Sequence, residues 1–409
     1  MESSQKRSGG FIIGYNLIYL GVNYLWISFE TLILPLQIGS VVPESEMGLL
    51  LGIVASLGSF SGIVGNLASG MLSDRFRIGR GKRSPYISIG VAVVAAMLLG
   101  ETFFSPSIYE ILAGYIVLQS FSNMAIGSTQ PILAEIESHE QRGTSAGLNG
   151  LFTLMGAALG FGITSFFLSS PYRNGDLYAL AAGIVFSGLA TLYTIRRIDT
   201  AQIPKVVDHI PFGMIRKPPP DLKKFSRLAT GSFFVFMGIT GLTFFELYFF
   251  REVLGIPNPA AYVAIAGILV LAVSAVSSVV LGHFSGRIGR WNILVADAAI
   301  ASIPTVMIPF FRTFYIFLLL GSFIGATYGS FYSVSYALAS DLVPKGESGK
   351  YMAIFNLSLT GASTVSPLIY GLILFILRSS VHLGYVGLFS AAGSFYLIGA
   401  AVLFAASRS

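Results

Sequence analysis

The stretch Gly70–Tyr86, GMLSDRFRIGRGKRSPY, carries one acidic and five basic side chains in seventeen residues. Apolar runs flank it on both sides, at about 47–72 and 86–104. A segment so charged cannot rest in hydrocarbon, and neither flanking run can rest in water, so the chain must leave and re-enter a membrane around it. The composition agrees. Of 409 residues, 54% are apolar and 11% charged, against about 25% charged in a soluble domain. The same apolar excess excludes intrinsic disorder, because nothing would prevent collapse. With no cysteine, disulfides, thiolate zinc sites and a cysteine nucleophile are excluded.

Working outward from that loop, runs long enough to cross a bilayer fall near 11–38, 47–72, 86–104, 108–134, 144–170 and 178–195, and again near 228–250, 261–284, 292–311, 314–340, 350–377 and 382–406. Their length and their Leu, Ile, Phe and Gly content specify helices rather than alternating barrel strands. Lys6 and Arg7 precede a run too long for a signal core, so the first crossing is expected to stay in place. Of the 25 lysines and arginines, 21 fall at the termini and in the even-numbered connections, and only Arg173, Arg251, Arg312 and Arg378 on the other side. Both termini are therefore expected in the cytoplasm of a multi-pass protein of the plasma membrane. The net charge of +6 is then a topology signal, and no nucleic-acid partner is expected.

The long polar stretch near 196–227, with Lys217, Pro218, Pro219, Pro220, Lys223 and Lys224, reads as a linker. It predicts an all-α membrane protein of two pseudo-symmetric six-helix bundles, 1–197 and 228–409, joined through 198–227. Internal matches support the division. RIGR at Arg77–Arg80 recurs at Arg287–Arg290, each time after the second helix of its half. Glu135 is followed eight residues later by Gly143, as Asp341 is by Gly349. Phe29-Glu30 and Phe245-Glu246 place one acid in the first helix of each half. Repeated halves with a central site are a common construction of secondary transporters.

Acids inside a crossing are costly, and Glu30, Glu246 and Asp297 are three such residues. Along the first helix Asn16, Tyr19, Asn23, Trp26, Glu30, Ile33 and Gln37 recur at steps of three and four, one face of a helix. Lipid would reject this face, so it is expected to meet protein or water. An indole able to stack on a sugar ring, one turn from a carboxylate able to accept hydroxyl hydrogen bonds, makes half of a sugar site. Weaker stripes are Gln119, Asn123 and Gln130 in the fourth helix, Thr240, Thr243 and Glu246 with Arg251 in the seventh, and Tyr328, Tyr332 and Tyr336 in the tenth. The tyrosine ladder reads equally as helix packing. Asn149 and Asn356 stand at similar depths in helices five and eleven.

These features resemble the major facilitator superfamily. Asp74, Arg75, Gly81, Lys82, Arg83, Pro85 and Tyr86 fit, without a gap, the loop of its sucrose–proton and glycoside–cation symporters, with Ser84 departing from the usual arginine. Glu135 and Arg142 are similar to the acid–arginine pair after helix four of sugar porters, and Gly282–Arg290 to a decayed copy of the first loop, with Gly286 in place of the aspartate. The resemblance implies the major facilitator fold, with helices one, four, seven and ten lining a cavity. It also implies a cytoplasmic gate of Asp74, Arg75, Gly81, Arg83, Glu135, Arg142 and Asp341, with Asp74 facing helix eleven near Lys350 and Asp341 pairing with Lys345 or Lys350. Asp297, in peripheral helix nine, is expected to be structural, pairing with Arg290. Gly62 and Asn66 stand where sodium-coupled relatives carry two acids, and neither is charged.

The expected activity is proton-coupled symport of a small solute, a sugar before other candidates. The substrate contacts would be Asn23, Trp26, Glu30, Asn123, Gln130, Glu246, Tyr328, Tyr332 and Tyr336. Glu30 and Glu246 are the proton carriers, since a carboxylate can hold a proton in one state and release it in another. An exporter of drugs or metabolites on the same fold is the alternative, and a non-transporting sensor is a third reading. No enzyme, metal or cofactor is expected: His139, His209, His283 and His382 are scattered singly, and Gly79–Ser84 lacks the spacing of a phosphate loop. Asn356-Leu357-Ser358 matches a glycosylation sequon but falls inside a helix. Solute, proton and lipid bilayer are the expected partners of a monomer.

Overall fold

The computed structural model describes residues 7–76, 81–101, 107–136, 139–172, 174–196, 222–343 and 348–408, with backbone alone at 74–75, 133–136, 139–140, 142 and 348–350. Among the described residues, twelve helices are long and apolar enough to cross a membrane: α1 (Gly9–Val41), α2 (Glu44–Ser73), α3 (Ser84–Glu101), α4 (Ile108–Ile132), α5 (Gly143–Leu168), α6 (Gly175–Ile195), α7 (Leu222–Glu252), α8 (Pro259–Ile288), α9 (Arg290–Phe310), α10 (Phe314–Leu342), α11 (Tyr351–Ile376) and α12 (Val381–Ser407). They match the twelve expected runs. The chain divides into two compact units, Met1–Val41 with Leu57–His209, and Val42–Ser56 with Ile210–Ser409. Helix α2 thus gives its first turns to the second unit and the rest to the first.

Small residues bring the backbones together inside each unit. A Cβ on Gly156 of α5 would run into the Leu20 carbonyl of α1, and one on Gly329 of α10 into the Ser274 carbonyl of α8. Without a hydrophobic force between helices in lipid, such close contact is a main source of adhesion. The second unit is filled by Phe225, Phe236, Phe331, Tyr351, Tyr396 and Leu403, all buried. Outward-facing Phe186, Val276, Val279 and Ile303 are largely exposed, as suits a surface solvated by acyl chains. The RIGR copy at Arg287–Arg290 makes a one-residue connection: α8 ends at Ile288, Gly289 takes φ +97°, and Arg290 opens α9. That backbone geometry favours glycine. The first copy, Arg77–Arg80, lies outside the described residues.

Regular geometry is interrupted in several helices: α5 has a π-turn at Gly160–Thr164 and α9 ends in a 3-10 turn at Ile308–Phe310, while the interruptions in α1 and α7 fall in the helices that carry Glu30 and Glu246. In α1 the turn Phe29–Ile33 is a π-turn, closed by the Leu34 N–H on the Phe29 carbonyl. Pro35 explains it, because its ring would collide with the Thr31 carbonyl in a regular helix and it has no N–H to give. In α7 the helix stops at Thr240 and resumes at Leu242. There the Tyr370 hydroxyl of α11 donates to the Met237 carbonyl at 2.6 Å, the acceptor that an unbroken helix would keep for the Gly241 N–H.

Candidate functional site

In the first unit the stripe on α1 meets α4 and α5. Asn16 Nδ2 donates to Ser145 Oγ at 2.8 Å, and Asn23 Nδ2 to Thr153 Oγ1 at 3.4 Å, both on α5. Tyr19 hydrogen-bonds Asn149, also on α5. Trp26 Nε1 donates to Ser122 Oγ of α4 at 3.0 Å. The face carrying Trp26 and Glu30 is therefore packed on protein rather than on acyl chains. Asn16 and Tyr19 are buried in this seam, whereas Asn23, Trp26 and Glu30 keep part of their surface open.

Glu30 sits in the π-turn and is held from α4. Gln119 Nε2 donates to Glu30 Oε1 at 3.0 Å and to Tyr115 Oη at 2.7 Å, and the Tyr115 hydroxyl donates to Glu30. Tyr115 is itself fixed by stacking on Phe29, ring centroids 6.4 Å apart. Asn123 continues the network, donating to the Gln119 side-chain oxygen at 3.2 Å and to the Gln119 carbonyl at 2.9 Å. Gln119 and Asn123 join as the α4 stripe suggested, but Gln130 does not: it is exposed and has no hydrogen-bond partner among the described residues. Beyond the π-turn Gln37 donates to Glu101 of α3 at 3.0 Å and Ile33 is buried, so both meet protein.

The second unit gives Glu246 different surroundings. It lies one turn beyond the Gly241 break and has no hydrogen-bond partner among the described residues. Thr240 and Thr243 turn back on α7 carbonyls, Thr240 also meeting Ser366 Oγ at 3.4 Å. Tyr328, Tyr332 and Tyr336 do form a ladder, with centroid separations of 6.1 and 4.7 Å. Phe236 borders it edge-on, and Tyr336 Oη donates to Asn356 Oδ1 at 2.6 Å. The Tyr332 ring is 39% exposed, leaving a face for stacking. Arg251 does not reach back toward Glu246. It pairs with Glu252 at 3.5 Å, and Tyr385 Oη donates to the other Glu252 oxygen at 3.1 Å.

One expected ion pair is replaced. Arg290 pairs with Asp341 and also donates to the Ala337 carbonyl at 3.3 Å, so it is not the partner of Asp297. Asp297 Oδ2 is buried with no hydrogen-bond partner among the described residues. At the first loop, Arg83 is buried and donates to Ser73 Oγ at 2.5 Å, while Tyr86 Oη donates to the Leu72 and Phe76 carbonyls at 3.2 and 3.1 Å. The loop motif thus caps the end of α2, with Gly81 buried beneath it. The expected roles of the Asp74, Arg75, Glu135, Arg142, Lys345 and Lys350 side chains lie outside the described residues. Among the described residues no group of three or more His, Asp or Glu could hold a metal ion.

Twelve crossings in two units, each with an acid at an interrupted first helix, define a polytopic carrier. The model of the Major Facilitator Superfamily matches residues 11–367, and the chain belongs to that superfamily of transporters. No curated protein sequence gives a significant match. Among solved structures the fold is similar to a D-xylose–proton symporter (TM-score 0.76, 17% identity, 97% of this chain and 96% of that one). It is similar as well to a bacterial homologue of the human lysosomal transporter Spinster (0.71, 16%, 98% and 96%) and to the nucleoside transporter NupG (0.70, 14%, 97% and 99%).

Proposed function

We propose that the chain is a proton-coupled symporter of a sugar or sugar-like polyol, working by alternating access in the plasma membrane with both termini cytoplasmic. The observation that carries this reading is the Glu30 carboxylate at the α1 π-turn, hydrogen-bonded by Gln119 and Tyr115 beside the half-open Trp26 and Asn23. A carboxylate held by two donors can accept and release a proton. The indole and the amides of Asn23 and Asn123 supply a stacking surface and polar contacts for a hydroxylated ring. Asn23, Trp26, Glu30 and Asn123 are the first-unit contacts, and Tyr332, with Tyr328, Tyr336 and Glu246, those of the second. Asp74, Arg75, Gly81, Arg83, Glu135, Arg142 and Asp341 are assigned to a cytoplasmic gate, where pairs made in one conformation bias the equilibrium between states. The likeness of the first loop to sucrose–proton symporters and the fold shared with a D-xylose–proton symporter support a sugar substrate.

One observation favours an exporter instead. The aromatic wall of Phe236, Tyr328 and Tyr332, together with the unpartnered Glu246, would suit an amphipathic cation. The test is substrate-induced pH change in proteoliposomes across a panel containing D-xylose, sucrose and amphipathic cations. Sugar entry with co-directional proton entry is expected. Cation efflux against protons, with no sugar response, would transfer the assignment to the exporter.

A further inference from the structure

Gln119 stands between the carboxylate of Glu30 and the amide of Asn123, and every polar atom of its head group is engaged. Its two N–H groups go to Glu30 Oε1 and Tyr115 Oη, and its oxygen accepts from Asn123 Nδ2. The Nδ2 group of Asn123 is likewise used up, on the Gln119 side-chain and main-chain oxygens. What Asn123 retains for a ligand is its acceptor, Oδ1. Such a chain has a direction, because amide nitrogen only donates and amide oxygen only accepts.

We infer that Gln119 and Asn123 form a paired-amide switch that makes the hydrogen-bonding character offered to substrate depend on whether Glu30 carries a proton. The inference rests on the proton-coupled reading above. With Glu30 ionised, the donors of Gln119 and Tyr115 both point at it, and Asn123 shows an acceptor. A proton arriving on Glu30 from water adds a donor hydrogen that the Gln119 nitrogen cannot accept. A half-turn of the Gln119 head brings its oxygen to that hydrogen and its nitrogen toward Asn123. Asn123 then turns over and swings away from the Gln119 main-chain carbonyl, which its oxygen cannot face: its oxygen accepts from the Gln119 N–H, its own N–H groups go to the ligand, and the released carbonyl is left to water or a ligand hydroxyl. Tyr115, the titratable group facing Glu30 from α4, only reorients its hydroxyl hydrogen. Substrate bound through a donor at Asn123 is thus favoured in one protonation state, and through an acceptor in the other. Gln119 acts through Glu30 and Asn123, as a positioning residue.

The half-turns need no repacking, since the two ends of an amide have nearly the same size, but they need room. Gly62 of α2 provides it: a Cβ there would stand 2.7 Å from Asn123 Nδ2 and 3.3 Å from Gln119 Oε1. Gly62→Ala should therefore jam both heads without removing a hydrogen-bonding group.

The test uses the full chain in proteoliposomes with whichever sugar of the panel exchanges fastest. Counterflow, which needs no net proton movement, is compared with accumulation driven by an imposed pH gradient. In Gln119→Leu and in Gly62→Ala the ratio of accumulation to counterflow is expected to fall about tenfold, within the usual range of coupling between sites. A wild-type ratio in either variant would overturn the switch. A second measurement needs no variant to fold well. Substrate-induced infrared difference spectra of wild-type protein should show a carboxyl band, assigned by its loss in Glu30→Gln, moving together with a side-chain amide band that shifts on isotopic labelling of glutamine. A carboxyl change with no glutamine amide change overturns the switch alone. Absence of any proton movement in the wild type instead overturns the proton-coupled reading on which it rests.

Discussion

The two membrane-embedded acids occupy matching places in a repeated design, yet their surroundings differ. Glu30 lies in a π-turn and takes hydrogen bonds from Gln119 and Tyr115. Glu246 lies one turn past a helix break and takes none among the described residues. A buried carboxylate without donors is expensive to keep ionised, whereas one with donors on two sides has a place for its charge. For the symport proposed above, the difference supports a first unit that handles the proton and a second that presents surface to the solute. There the aromatic ladder is fixed by packing and by the Tyr336–Asn356 hydrogen bond.

Exchanging the roles of the two surfaces is the hardest test of this contrast. Trp26→Ala should weaken sugar binding by about 2 kcal/mol, roughly thirtyfold, and Tyr332→Ala by less than half that energy, since the indole is the larger stacking surface and is held in place by Ser122, whereas Tyr332 is more exposed. Equal losses by calorimetric titration would erase the asymmetry. Relaxing the π-turn comes next. Pro35→Ala restores an N–H and removes the clash that widens the turn, so it should draw Glu30 away from Gln119 and reduce pH-gradient-driven accumulation about tenfold at unchanged expression. In the second unit, Tyr370→Phe removes the hydroxyl that holds the Met237 carbonyl at the α7 break and should cost about 1 kcal/mol in thermal unfolding, with proton coupling intact. The smallest effect belongs to the exposed pair at the end of α10: Arg290→Gln should cost no more than ~1 kcal/mol, read in the same unfolding assay at low salt.

Much of the architecture was legible because lipid imposes length and polarity so strictly. Twelve runs and the paired acids could be counted without knowing which helix touches which, whereas the expected linker lies, over 198–221, outside the described residues. The face carrying Asn23, Trp26 and Glu30 was legible as well, because three- and four-residue steps persist through a regular helix. The π-turn itself was not legible, although Gln37 beyond it still meets protein, at Glu101. Pro35 held the signal, but a proline in a membrane helix gives no direct reading of the wider turn it induces. Tyr115 was missed for another reason: its hydroxyl is satisfied inside the seam, and a tyrosine among apolar residues reads as packing. The partner of Arg290 proved to be Asp341 rather than Asp297, a choice made by how α9 and α10 lie together, which spacing along the chain does not encode. Gln130 kept the helical period of Gln119 and Asn123, but the seam does not extend to it.

The most direct measurement of the central claim is sugar counterflow and sugar-driven proton entry in the same proteoliposomes, for wild type, Glu30→Gln and Glu246→Gln. Glu30→Gln should continue to exchange sugar while its proton entry disappears, and Glu246→Gln should keep the wild-type number of protons per sugar. Undiminished proton entry in Glu30→Gln, or its loss in Glu246→Gln alone, would place the coupling carboxylate in the second unit and contradict the division of labour drawn between the two halves.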